Sequence, residues 1–224
     1  MKANCLIIGI FALVIGLSAC QNKSSDSDSD HTSMEMGDST RMNMNSSMGT
    51  GMMGGMDNMM KDMHAMKMTG NVDHDFAMMM KSHHQGAIDM AKAEISSGKD
   101  ETLKQMAQKI IDEQESEINE FEAFLNNAKD AAKNYDPAKK DEGFAKVMDK
   151  NMMMMMDMPK ADETHSTDQQ FANMMIPHHQ SAVFMAEGFI NHGKDAKLLL
   201  MAKKMVADQN REIEEFKKWK ANNQ

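Results

Sequence analysis

The segment that decides the fold is FAMMMKSHHQ at residues 76–85, because a close copy, FANMMIPHHQ, occurs at residues 171–180. The two copies continue in register to Phe121 and Phe216, at an offset of about 95 residues and with roughly half of the aligned positions identical. Such self-similarity indicates that one supersecondary unit is built twice along the chain.

Each copy has the period of a helix. In the first copy, one apolar stripe runs from Phe76 to Ala91 and a second from Leu103 to Phe121, both at about 100° per residue. Gly98 between the stripes is typical of a helix C-cap followed by a short turn. The sequence therefore predicts an all-α fold, in which two tandem αα-hairpin repeats pack as a ferritin-like four-helix bundle.

Local signals refine this prediction. Residues 167–170, Thr-Asp-Gln-Gln, fit a capping box at the start of the second copy. Pro177 predicts a kink in that helix or marks its first turn. The Met-rich stretches 52–68 and 148–158 precede the two hairpins and predict additional helices, of which the second should end at Pro159.

The N-terminus resembles a bacterial lipoprotein signal. Residues 6–17 are apolar but too few to span a bilayer, and they lead into Leu-Ser-Ala before Cys20. We expect cleavage after residue 19, lipidation of Cys20, and anchoring in the cell envelope, on the periplasmic side or at the outer membrane. The alternative is an ordinary cleaved signal followed by an unmodified cysteine.

The predicted organisation follows from these boundaries. It comprises a lipoprotein signal peptide (1–19), a disordered Met/Ser/Asp-rich tether (20–51), a first Met-rich plus His-His helical repeat (52–127), a connector (128–142) and a second such repeat (143–224).

The composition of the chain excludes some classes of function. The chain has 34 acidic and 25 basic side chains, a balance that argues against nucleic-acid binding. Met accounts for 31 of the 224 residues, and without it the apolar share falls from 41% to about 27%. Methionine must therefore form much of the core or have another role.

The His-His pairs are the sharpest chemical signal. Met79 lies one helical turn before His83, and Met80 one turn before His84, so each thioether shares a helix face with an imidazole. This soft donor set suits Cu(I), or Ag(I), better than Mg, Ca or Mn. The predicted metal ligands from both copies are His83, His84, His178, His179, Met79, Met80, Met174, Met175, Met90 and Met185.

Two recurring polar pairs accompany the histidines. Gln114 and Gln209 are expected to cross the core and hydrogen-bond a histidine ring. Glu117 and Glu212 are interpreted as solvated helix edges. The competing interpretation of the whole constellation is that the methionines are core residues and the histidines are hydrogen-bonded helix residues.

The Met tracts form a second candidate system. Five consecutive Met residues at 152–156 sweep more than a helical turn, so some thioethers must lie at the surface. We expect these tracts to collect soft monovalent ions, and the alternatives are compositional drift, adaptable packing and sacrificial oxidation. The predicted accessory ligands are Met59, Met60, Met63, His64, Met152, Met155 and Met156.

Other chemistries find little support in the sequence. There is no Cys/His zinc set, no Gly-rich phosphate loop, no Ser/His/Asp arrangement and no Glu-x-x-His di-iron motif. We therefore expect a binding protein rather than an enzyme, without an organic cofactor.

Residues 174–180, followed by Ala182, Met185 and Ala186, resemble the domain-of-unknown-function family 305, a ferritin-like helical group whose His-His motif occurs here in both halves. The first copy departs from the motif, with Lys81-Ser82 in place of Ile-Pro. The resemblance implies a helical bundle, an extracytoplasmic location and often copper, since members include a periplasmic Met-rich copper-binding resistance protein.

The expected function is thus sequestration or buffering of Cu(I) by an envelope lipoprotein, which supports copper tolerance. The expected partners are copper ions, the membrane through the lipid anchor and a copper-transfer protein. The alternatives are a structural or oxidant-scavenging Met-rich envelope protein and, third, a ferritin-like metal oxidase.

Overall fold

The structure, a computed structural model, describes residues 51–128, 131–159, 162 and 164–223. The predicted signal peptide, Cys20 and nearly all of the tether lie outside these residues. The described elements are α1 (Met52–Ala65), α2 (Val72–Ser97), α3 (Glu101–Asn127), α4 (Gly143–Met156), α5 (Thr167–His192) and α6 (Ala196–Asn222). The predicted all-α fold is confirmed.

The two repeats pack through their first long helices. Helix α2 packs on α3 and α5 on α6, as expected of two hairpins, and α2 also packs on α5. The short helices add to this frame, with α1 against α2 and α4 against α5. Helices α2 and α5, which carry the His-His pairs, therefore lie at the centre of the assembly. None of the described helices is both long and apolar enough to traverse a bilayer.

The start of α5 differs from the prediction by one residue. Ser166 is the N-cap, and its side chain and that of Gln169 form the capping box, so the box begins before Thr167. Pro177 lies in the interior of a helix that continues through it to His192. It therefore does not mark the first turn, because the cap at Ser166 begins the helix well before the proline.

Gly98 and Gly193 end α2 and α5 for a steric reason. Both have ordinary negative φ angles, so neither needs the left-handed backbone of a common glycine C-cap. A Cβ on Gly98 would collide with the carboxyl of Glu94, and one on Gly193 with the ring of Phe189. Each glycine thus leaves room for a side chain one turn earlier.

The two repeats are joined by reciprocal hydrogen bonds at their turns. The Asp73 carboxylate at the start of α2 accepts from the backbone N–H groups of Lys194 and Asp195, at 2.7 and 2.9 Å. In the same way, Asp168 at the start of α5 accepts from Lys99 and Asp100, both at 2.8 Å. Each repeat therefore orients the hairpin turn of the other.

One buried position differs in both charge and size between the two repeats. Phe189 stacks on Phe76 with ring centroids 3.9 Å apart, but its counterpart in the first repeat is Glu94, also fully buried. Burial raises the pKa of Glu94 to about 8, and the neighbouring Asp168 carboxylate adds to the effect. Glu94 is therefore mostly protonated at neutral pH.

Candidate metal centre

The two His-His pairs meet where α2 crosses α5. His83 and His178, the first histidine of each pair, have ring centroids 3.8 Å apart with the rings tilted by 42°. Both side chains are completely buried. The apolar stripe of each hairpin faces the other repeat, and this packing carries the two imidazoles into the centre of the bundle.

These two rings have an unusual polar environment. Neither ring nitrogen of His83 or His178 has a hydrogen-bond partner among the described residues. Burial lowers the pKa of both well below the usual value, and the charges of neighbouring histidines lower it further. The nearby backbone of His83 opposes the lowering of the His178 pKa but does not reverse it. Both rings are therefore neutral, with lone pairs available to an electrophile.

The second histidine of each pair is oriented by a carboxylate. His84 Nε2 lies 2.7 Å from Glu117 Oε2 and donates its proton to it, which leaves Nδ1 without a hydrogen-bond partner. His179 Nε2 lies 3.1 Å from Glu212 Oε2, a close contact that is less well aligned. A carboxylate that holds one ring N–H leaves the opposite nitrogen basic and ready to bind a metal.

The carboxylate of the second repeat is supported by further charges. Lys109 Nζ lies 3.2 Å from Glu212 Oε1. Burial alone would raise the pKa of Glu212, but His179 and Lys109 outweigh it and lower that pKa. Burial and the adjacent Glu212 raise the pKa of Glu113 instead. Glu212 therefore remains the anion that faces His179.

The supporting residues differ from those expected. Glu117 and Glu212 were interpreted as solvated edges, yet Glu212 is 3% exposed and both face a histidine. The described contacts do not give Gln114 or Gln209 this role, since the buried Oε1 of each has no hydrogen-bond partner. The repetition of Glu117 and Glu212 in both copies was the signal that could have identified them.

All six methionines proposed as ligands lie in the same core. Met79, Met80, Met90, Met174, Met175 and Met185 are each at most 1% exposed. The Met185 sulfur also accepts a hydrogen bond from Asn151 Nδ2 at 3.7 Å, and Asn151 in turn accepts one from Ser181. The first repeat has Gly86 where the second has Ser181, so this network is specific to the second.

The donor chemistry of this centre is soft. Within the described part of the chain, no three His, Cys, Asp or Glu side chains converge on one point that could hold an ion. An ion bound between the histidines would therefore need ligands of another kind, and the buried thioethers of the same core provide soft ones. Neutral imidazole and thioether suit a monovalent coinage metal.

The predicted accessory residues are dispersed. Met59 is buried against Gly86, where a Cβ would come within 2.7 Å of its sulfur. Met155 is buried in α4, whereas Met156 is 66% exposed. Met60 is half-buried. Of the predicted accessory residues, Met63, His64 and Met152 line a common pocket.

Comparisons with known proteins agree with this architecture. Solved structures of CopM in its Ag-bound form by soaking and in its apo form are both 28% identical to this chain, with TM-scores of 0.52. The Cu(I)-bound form of CopM is 27% identical, with a TM-score of 0.51. Each alignment covers 67% of this chain and 96% of CopM.

No curated protein matches this chain. The model of one family, described as Domain of unknown function (DUF305), matches twice, over residues 18–125 and 73–220. The overlapping matches span most of the sequence and include both His-His pairs. The chain therefore belongs to the DUF305 family.

Proposed function

We propose that this protein binds Cu(I), and with it Ag(I), between the buried histidines of α2 and α5, and that it sequesters or buffers copper in the cell envelope. The observation that carries the proposal is the His83–His178 contact. Four ring nitrogens are buried there without a protein hydrogen-bond partner. Each such group costs about 1–3 kcal/mol. Because each neutral ring has one nitrogen with a free lone pair, a bound soft ion would offset part of this cost by accepting one lone pair from each ring.

Two further observations support copper. The thioethers of Met79, Met80, Met174 and Met175 lie in the same core, one turn from the histidines. CopM, which is similar in sequence and fold, has been solved in Cu(I)-bound and Ag-bound forms. The protein then acts by binding and release, without catalytic turnover.

The proposal is tested by an anaerobic competition titration of the full-length protein in detergent against a chromogenic Cu(I) chelator. We expect binding tighter than micromolar that is lost when His83, His84, His178 and His179 are replaced by Ala. His165→Ala is the matched control, because the His165 side chain is exposed and lies near the Asp162 carboxylate rather than in the buried histidine centre. Absence of submicromolar binding, or unchanged binding in the four-histidine variant, would refute the function.

We propose further that lipidated Cys20 holds the protein in the envelope, where it would meet periplasmic copper. The lipobox-like sequence before Cys20 supports this localisation. Incorporation of labelled palmitate, lost in Cys20→Ala together with release from the membrane fraction, is the expected result. Retention of the label by the variant would contradict it.

A second candidate function, oxidant scavenging, is favoured by the exposed methionines of α4. Met153, Met154 and Met156 are 60%, 38% and 66% exposed, so oxidants reach their sulfur atoms directly. This function predicts that deletion sensitises cells to hypochlorite and leaves copper tolerance unaltered. Copper sensitivity of the deletion strain distinguishes the two.

A further inference from the structure

A second group of sulfur atoms lies outside the histidine centre. A pocket of about 220 Å³ opens between α1, α2, α4 and the connector that follows α3. Its soft ligating groups come from different elements of both repeats and are Met63, His64, Met68, Met79, Met148 and Met152.

The methionines of this pocket range from fully buried to half-buried. Met63 and Met79 are almost completely buried, Met148 is 8% exposed, and Met68 and Met152 are half-buried. A protein core normally closes around its side chains with few voids larger than a water molecule. Here the thioethers line a pocket that also includes the exposed His64, and the half-buried Met68 and Met152 leave part of this sulfur within reach of an ion from solvent.

His64 at the rim of the pocket is held in the tautomer that a metal ligand requires. Its Nδ1 donates to the backbone carbonyl of Met60 at 2.7 Å, one turn earlier in α1. Nε2 therefore carries the free lone pair. Metal-bound histidines are oriented in this way, with the other ring N–H on a carbonyl or carboxylate.

The charges at the mouth of the pocket nearly cancel. Lys140 and Asp149 both line it, and Lys140 Nζ lies 2.8 Å from Asp149 Oδ1. The cation that would repel a metal ion is therefore neutralised locally. The preference of this pocket for one metal ion over another would depend on the softness of its donor atoms rather than on net charge.

Met79 connects this pocket with the centre of the bundle. It contributes to the inner wall of the pocket, and it lies one helical turn before His83 in α2. An ion held by the outer thioethers would thus have a buried sulfur on its way to the His83–His178 pair. Thioethers exchange soft ions without losing a proton, which suits a transient site.

We propose that this Met-lined pocket is a second binding site for a soft monovalent ion, Cu(I) or Ag(I), and that it loads the histidine centre through Met79. Met63, Met68, Met148 and Met152 with His64 Nε2 provide the ligands. Binding in the pocket is independent of the proposed function, whereas the loading role rests on it.

The test uses the full-length protein in detergent, with methionine methyl groups labelled with ¹³C and silver nitrate as the probe. In the His83→Leu/His178→Leu background, the methyl resonances of Met63, Met68, Met148 and Met152 should shift as Ag(I) is added. In the otherwise wild-type chain, Met63→Leu/Met148→Leu/Met152→Leu should lose about one equivalent of Ag(I), because leucine keeps the volume and removes the sulfur.

The matched control is Met153→Leu/Met154→Leu/Met156→Leu, which removes exposed sulfurs outside the pocket from the same segment of the chain. The rate at which Ag(I) reaches the histidine centre can be followed by the change in the imidazole NMR resonances of His83 and His178 after silver nitrate is added. This rate should be lower in the pocket variant than in the control. Unshifted pocket methyls or unchanged stoichiometry would overturn the site, and equal loading rates would overturn the relay. In the wild-type protein, pocket methyls that shift while the imidazole resonances of His83 and His178 stay unchanged would support the site and refute the histidine centre separately.

Discussion

The imidazole rings of His83 and His178 lie 3.8 Å apart in the middle of the bundle, although the residues belong to different repeats and both rings are fully buried. Neither ring has a hydrogen-bond partner in the described residues, so the contact does not stabilise the folded chain in the way that a satisfied polar pair would. The His83–His178 contact is better explained as a binding site that lowers the stability of the folded protein until a metal ion occupies it.

The first prediction follows from this cost. In metal-free protein, His83→Leu/His178→Leu should raise the free energy of unfolding by about 1–3 kcal/mol, because unpartnered polar atoms are replaced by apolar groups of similar size. The same variant should lose the part of the Ag(I)-induced increase in Tm that the histidine centre contributes, and it should keep the part that comes from the Met-lined pocket. Thermal denaturation with and without Ag(I) measures both effects.

The control for this variant is His165→Leu at a partly exposed position, where neither effect is expected. A strongly destabilised metal-free double variant that retains the Ag(I)-induced shift would show that the rings are structural.

The second prediction concerns the carboxylate that orients His84. Glu117→Gln keeps an oxygen that can accept from Nε2 but removes the negative charge, so the affinity for Ag(I) should fall by about 10–100-fold. Competition against a silver chelator measures the affinity, and a near-normal Tm of the metal-free variant shows that the fold persists. Glu115→Gln, at an exposed position on α3, is the control and should bind as the wild type does.

The third prediction uses the pH dependence of Glu94. The pKa of its carboxyl is raised from 4.5 to about 8 in the folded protein. Between these values the folded state holds a proton that the unfolded state has released, so the contribution of Glu94 to stability falls as pH rises. The loss should approach about 1 kcal/mol per pH unit in this window.

Glu94→Gln stays neutral throughout, so its advantage over the wild type should grow from pH 5 to pH 8. Urea denaturation at several pH values measures the difference, with Glu115→Gln as the exposed control. A difference between Glu94→Gln and the wild type that does not change with pH would exclude a proton bound at Glu94.

The fourth prediction concerns the contacts between repeats. Asp73→Ala removes a carboxylate that accepts two backbone N–H groups at the turn before α6, and it should cost about 2–3 kcal/mol. Asp168→Ala should cost a similar amount at the turn before α3. Asp112→Ala, which removes only an exposed contact with Gln108, should be nearly neutral in the same denaturation experiment.

The sequence was informative wherever a feature is local to one helix. The apolar stripe that begins at Phe76 and the turn at Gly98 predicted the hairpin, and the copy that begins at Phe171 predicted its partner. Pro159 correctly placed the end of the Met-rich helix α4, which stops at Met156. The capping box at Ser166 was missed by one residue, since Ser and Thr are both good N-caps and stand side by side.

The sequence by itself determined the helices, their order and the spacing of Met and His on each helix face, because these depend on the periodicity of a single helix. Only the tertiary structure decided that His83 meets His178, that Glu117 rather than Gln114 holds His84, and that Met63 and Met148 line one pocket. Those relationships depend on how helices pack against one another, and the interhelical distances and crossing angles are set by all the side chains at the interface together. A pattern along one helix carries no information about them.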